Sequence, residues 1–183
     1  MKRTIRRFHL NSIVIVVLTL LLLLFFFFQK YSLHRVAPVS TPEATTSAQV
    51  KKVIDGDTID VVVDGATERV RLIGIDAPEF GYDGKPAMCF AGESYKKAKE
   101  LLDGKKVRMD SDSTQDERDK YNRLLRYVFL EDGTNINEAL ITQGFAREYT
   151  YLGNPYRYQK EFQEGEKTAK LTGKGVWQAG ACP

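Results

Sequence analysis

The run TIDVVVDGATERVRLIGID, from Thr58 to Asp76, decides the fold. Thr58 to Val63 is largely β-branched, and Asp64-Gly65 is a two-residue hairpin turn. Glu68 to Ile75 then alternates before turning apolar. The run therefore predicts two antiparallel strands joined directly. Upstream, Val50 to Ile54 predicts another strand, broken from the hairpin at Asp55-Gly56. Asp57 and Asp76 consequently stand at strand ends that converge.

Downstream, Ala91, Tyr95, Ala98 and Leu102 fall on one helical face, and Asp103-Gly104 ends that helix. Val107 to Asp110 and Leu124 to Leu130 predict two more strands, the latter closed by Asp132-Gly133. Asn137 to Gln143, before Gly144, and Tyr158 to Leu171, before Gly173, predict two further helices. Five short antiparallel strands interrupted by a helix suit a small closed barrel of OB type. A mixed sheet with helices on one face has the same element order.

The N-terminus has a different character. Residues 1–9 carry Lys2, Arg3, Arg6 and Arg7, and residues 10–28 carry no charge. At roughly 1.5 Å per residue these 19 positions make a helix long enough for a ~30 Å hydrocarbon core. Basic residues ahead of it place the N-terminus in the cytoplasm and the remainder outside. A cleaved signal peptide is the rival, which would release a secreted form. Against it, Gln29, Lys30 and Tyr31 follow the apolar run, and the first small-residue stretch, Thr46-Ser47-Ala48, comes late. Residues 29–49, rich in Ser, Thr, Pro and Ala, read as a flexible linker, and 50–183 as the folded domain. The expectation is a single-pass protein of the cell membrane with its folded domain extracellular.

Charge and histidine narrow the chemistry. The chain is formally +3, but six of its 27 basic residues and one of its 24 acidic residues precede position 51. The domain that remains is net −2, so bulk attraction cannot bring it to a polyanion; a local cluster with a bound cation must do so. Both histidines, His9 and His34, also precede the domain. Histidine bases, histidine nucleophiles and His-ligated metals are thereby excluded, and base chemistry falls to a carboxylate. The two cysteines, Cys89 and Cys182, suit a disulfide in an exported chain better than a metal site, with two free thiols as the alternative.

Asp57 and Asp76 are candidate ligands of a hard, oxygen-seeking cation such as Ca²⁺, completed by a backbone carbonyl and waters. Asp55 reads as a turn former. Glu79, set by Pro78, is the candidate general base for a water aimed at phosphorus. Arg71, among apolar neighbours, and Arg123 supply guanidinium forks for the charge that builds on non-bridging phosphate oxygens. Tyr121 is positioned to bond a phosphate, and Tyr149 and Tyr151 to stack on bases.

From about Val50 to Trp177 these residues resemble the thermonuclease family, the staphylococcal-nuclease-like enzymes. Asp-Gly-Asp-Thr followed by Arg-x-x-x-x-Asp-x-Pro-Glu stands intact from Asp55 to Glu79, and Asp-Lys-Tyr-x-Arg from Asp119 to Arg123. Asn137-Glu138-Ala139-Leu140 and Gln143-Gly144 are also similar. The resemblance implies a five-stranded OB barrel with three helices, here preceded by one transmembrane helix. It implies a Ca²⁺-dependent endonuclease acting on DNA and RNA and leaving 3′-phosphate ends. By position, Asp57 and Asp76 would ligate calcium with the backbone carbonyl of Ala77, Glu79 would be the base, and Arg71 and Arg123 would bind phosphate. Three positions depart from the family pattern: Ala77 for a threonine, Asn122 for a glycine, and Arg126 for a small residue, which bears on the groove. The leading expectation is thus a monomeric, membrane-tethered nuclease of low sequence specificity. A barrel that binds nucleic acid at the cell surface without cutting it is the alternative, as is a Ca²⁺-stabilised surface protein; the latter leaves both arginines unexplained.

Overall fold

The computed structural model describes residues 18–24, 45–81 and 84–182. The chain divides into two units, Met1–Thr41 and Pro42–Pro183. Residues 18–24 are helical, and the rest of the expected membrane span 10–28 lies outside the described residues. Among the described residues no helix is long and apolar enough to cross a membrane.

The second unit is built from β1 (Thr45–Val53), β2 (Thr58–Val63), β3 (Ala66–Leu72), β4 (Ile75–Asp76), α1 (Ala91–Leu102), β5 (Lys106–Asp110), β6 (Leu124–Phe129), α2 (Ile136–Thr142), β7 (Arg147–Glu148) and α3 (Gln159–Leu171). Five strands close into a barrel in the order β1-β2-β3-β6-β5. The β2–β3 hairpin forms as its sequence predicts, with Val63 opposite Ala66 across the Asp64-Gly65 turn. Alternate residues point inward, with a register shift between Val50 and Lys52 resetting β1, so Val50, Val53, Ile59, Val61, Val70, Leu72, Val107 and Met109 fill the interior.

Helix α1 buries Ala91, Ser94, Ala98 and Leu102. The Ser94 hydroxyl replaces one apolar contact with a hydrogen bond to the Phe145 carbonyl. Asn135 caps α2 by accepting from the Glu138 amide. Two residues on, the buried Asn137 side chain accepts from Val128 N (3.0 Å) and donates to the Ile73 carbonyl (2.9 Å). It thereby locks α2 against β6 and the end of β3. Helix α3 inserts Phe162 into an aromatic cluster with Tyr127, Tyr156 and Tyr158. Cys89 and Cys182 form a disulfide.

Three features differ from the sequence reading. Strand β1 begins at Thr45 rather than Val50, because Thr45 to Gln49, composed like a linker, pair with Asp110 to Lys106. The barrel is not wholly antiparallel, since β3 and β6 run parallel. Finally, the predicted strand Glu68–Ile75 is two strands, broken at Gly74. That residue has φ 77°, and a Cβ there would lie 2.6 Å from the Tyr156 ring. Only glycine meets both conditions.

Candidate active site

The break at Gly74 swings the chain out of the barrel. Ile75 and Asp76 then pair with Glu148 and Arg147 as a separate two-stranded sheet. The Tyr156 hydroxyl, donating to Glu148 Oε1 at 2.8 Å, braces that sheet. Asp76 is thereby delivered toward Asp57, which arrives from the turn after β1. In that turn Asp55 Oδ1 accepts from Asp57 N at 3.0 Å, the expected turn-forming role. Gly56 is required there by close approach, since a Cβ would come 2.5 Å from that of Ala77.

Asp57 is 2 % exposed. Its Oδ2 accepts from Ala77 N at 2.8 Å, and Oδ1 accepts from the Thr58 hydroxyl at 3.0 Å. Burial raises its pKa to about 7 although the adjacent Arg71 opposes this, with the Asp55 and Asp76 charges adding to the rise. Arg71 Nη2 lies 3.1 Å from both Asp57 Oδ2 and Asp76 Oδ1. Its Nη1 donates to the carbonyls of Leu72 (2.9 Å) and Ile75 (2.7 Å).

Glu79 completes the group. Asp57, Asp76 and Glu79 each place one carboxylate oxygen within 4.8 Å of the others. The Glu79 pKa is raised, chiefly by desolvation and then by the Asp55 charge, while Arg71 and Arg123 pull the other way. Three convergent carboxylates make an oxygen-only donor set. Burial opposes charge on Asp57, Arg71 offsets part of that penalty, and a divalent ion would favour the charged form further. The residues therefore fit a hard divalent cation.

A cleft of about 780 Å³ opens beside this cluster. Arg71, Asp76 and Glu79 line one part of it and Arg123 another, so four of the five central candidates share its wall. Asp57 lies behind Arg71, in contact with it. Arg123 follows Asn122, whose φ of 64° shows the left-handed turn that asparagine tolerates in place of glycine. Asp119 holds the arginine at both ends, accepting from Arg123 N at 2.9 Å and from Nε at 2.6 Å. Tyr121, 67 % exposed, and the half-exposed Tyr149 and Tyr151 also face the cleft, the latter pair with ring centroids 6.2 Å apart.

Arg126 does not alter the groove. It is buried, paired with Glu117 and donating to the Leu125 carbonyl. Sequence reasoning missed Asp119 as the residue holding Arg123, although its i to i+4 spacing was available as a signal. It also missed the brace from Tyr156 to Glu148, for which no local pattern exists.

A barrel carrying an acidic cluster and two arginines in one cleft suits the cleavage of phosphodiesters. Comparison with known sequences gives the class its family. The family described as "Staphylococcal nuclease homologue" matches residues 69–179. The chain is 37% identical over 129 residues to a thermonuclease of Staphylococcus hyicus, covering 70% of this chain and 74% of that one. It is 34% identical over 148 residues to a micrococcal nuclease of Shigella flexneri, covering 76% and 78%. It is also 37% identical over 130 residues to endonuclease YncB of Bacillus subtilis (strain 168), covering 69% of this chain and 59% of that one. The chain belongs to the staphylococcal nuclease family and is an endonuclease of the thermonuclease type.

Proposed function

We propose that this endonuclease is Ca²⁺-dependent and hydrolyses DNA and RNA with low sequence specificity, leaving 3′-phosphate ends. The observation that carries the reading is the convergence of Asp57, Asp76 and Glu79 within 4.8 Å, beside Arg71. Asp57 and Asp76, with the Ala77 carbonyl, would hold the cation. When bound, the ion would compensate the clustered carboxylates and polarise the phosphodiester. Glu79 accepts a proton from the attacking water, and its raised pKa strengthens it as a base near neutral pH. The new bond forms between that water oxygen and phosphorus, the P–O5′ bond breaks, and the 5′ oxygen leaves as a hydroxyl by taking a proton from solvent water. Arg71 and Arg123 donate to the non-bridging oxygens as charge builds on them. Tyr121 bonds a neighbouring phosphate, while Tyr149 and Tyr151 offer ring faces to bases of any sequence.

We further propose that segment 10–28 anchors the chain in the cell membrane, with the nuclease domain outside and acting as a monomer. The uncharged run behind a basic N-terminus supports this, as does a disulfide of the kind that persists in oxidising surroundings. The test is release of acid-soluble fragments from single-stranded DNA by the full chain in calcium, in chelator and with magnesium substituted. Release in calcium that chelator abolishes is expected. Undiminished release in chelator would refute the metal dependence.

A further inference from the structure

The buried Ala77 and Pro78 hold the chain up to Glu79, but the residues described next to it and opposite it, Phe80, Met88 and Cys89, are exposed, as is Glu79 itself. Phe80 packs edge-on against Tyr95, with ring centroids 5.5 Å apart. Glu79 itself is clasped by Met88: its carbonyl accepts from Met88 N at 2.9 Å, and its own amide points at Met88 Sδ at 3.4 Å. The next residue is Cys89, bridged to Cys182 across 93 positions of sequence.

The far side of that bridge is anchored. Six residues before Cys182, Val176 N donates to the Gly144 carbonyl at 2.9 Å. A Cβ on Gly175 would overlap that same carbonyl, so the two backbones are pressed together. Trp177 is held between Arg147 (4.7 Å from the ring centroid) and Lys170 (4.5 Å), which belong to β7 and α3. A continuous path therefore runs from the helical framework through Trp177, the bridge and Met88 to Glu79.

We propose that Cys89 and Cys182 are positioning residues for catalysis. Their bridge carries the rigidity of the Gly144–Trp177 clasp to an exposed segment and holds the Glu79 carboxylate beside Asp57 and Asp76. This rests on the reading of Glu79 as the carboxylate that takes the proton from water. A crosslink that served stability alone would act on the unfolded chain and leave kcat unchanged in the folded enzyme. A displacement of about 1 Å at a reacting group costs up to ~10²-fold in rate, so the two roles separate kinetically.

The experiment measures kcat and KM of the full chain at saturating calcium, well below the unfolding midpoint of each variant. It compares wild type, Cys89→Ser/Cys182→Ser, Glu79→Gln and the triple variant. The double serine variant is expected to lose about tenfold or more in kcat with KM within about twofold. In the Glu79→Gln background the same two changes are expected to have no further effect. An unaltered kcat in the double variant, or the same fractional loss in both backgrounds, would overturn the proposal. Near-normal turnover by Glu79→Gln alone would overturn the underlying reading and this inference with it. Should the serine variant not fold, two glycines inserted between Gly180 and Ala181 keep the bridge but slacken it. That insertion is expected to lower kcat selectively, and a normal kcat would overturn the proposal.

Discussion

Arg71 Nη2 and Asp57 Oδ2 lie 3.1 Å apart, with side chains 12 % and 1 % exposed. The guanidinium is the counter-charge of a carboxylate that water does not reach. It also joins that carboxylate to Asp76 and to two carbonyls at the exit of the barrel. Removing it leaves Asp57 buried without its partner, a change that costs about 3–5 kcal/mol in comparable pairs. Arg71→Leu is expected to sit at the lower end, near 3 kcal/mol, because the Ala77 amide and Thr58 hydroxyl remain. Urea unfolding in calcium-free buffer measures this, and a loss below ~1 kcal/mol would show that those two donors suffice.

Asp119 fixes both the backbone and Nε of Arg123 before any phosphate arrives. Asp119→Ala is therefore expected to lower kcat by about tenfold while KM changes less, since an arginine that must be ordered during the reaction gives up preorganisation. Arg123→Ala should be the more severe of the two. A loss confined to KM in either variant would contradict a role in the transition state.

Gly74 meets two constraints at once, a φ of 77° and the Tyr156 and Phe162 rings within 3 Å of where a Cβ would stand. Gly74→Ala is expected to destabilise by about 2–4 kcal/mol, combining backbone strain with overpacking. It should also lower activity, because Asp76 leaves the barrel through this residue. Denaturant midpoints with an unchanged m-value check the first part.

Asp112 is the hub that ties the cleft wall to the barrel. Its Oδ2 accepts from the Tyr127 hydroxyl (2.7 Å) and Arg157 N (2.8 Å), and its Oδ1 from the Thr114 amide and hydroxyl. Burial favours the neutral acid, but these four donors outweigh it and hold the pKa below the ordinary 3.8. The unfolded chain then binds this proton more readily than the folded one. The stabilisation is therefore complete above pH ~4 and disappears as pH falls through the depressed folded value. Asp112→Asn is expected to cost about 2–3 kcal/mol at neutral pH. Thermal midpoints followed from pH 7 to pH 2 should converge with wild type at the acid end, and parallel curves would refute the assignment.

Local signals carried the legible part of the fold. The Asp64-Gly65 turn and the alternation on either side of it specify the hairpin, and the spacing of Ala91, Ala98 and Leu102 specifies α1. The motif blocks named the residues that meet in the cleft. What stayed hidden depends on partners distant in sequence. Thr45 to Gln49 are a strand only because β5 lies alongside, and β4 with β7 is too short to show a period. Arg126 reads as a groove residue until it is seen to be buried and paired with Glu117. The hold of Asp119 on Arg123 and the brace from Tyr156 to Glu148 are products of folding, with no residue pattern of their own.

The central claim is that Glu79 supplies the base at a cation site formed by Asp57 and Asp76. Turnover of Glu79→Gln in saturating calcium, with calcium binding measured on the same sample, tests it most directly. The expected result is binding within a few-fold of wild type and turnover lower by ~10²–10⁴-fold. Turnover close to wild type with calcium bound would contradict it.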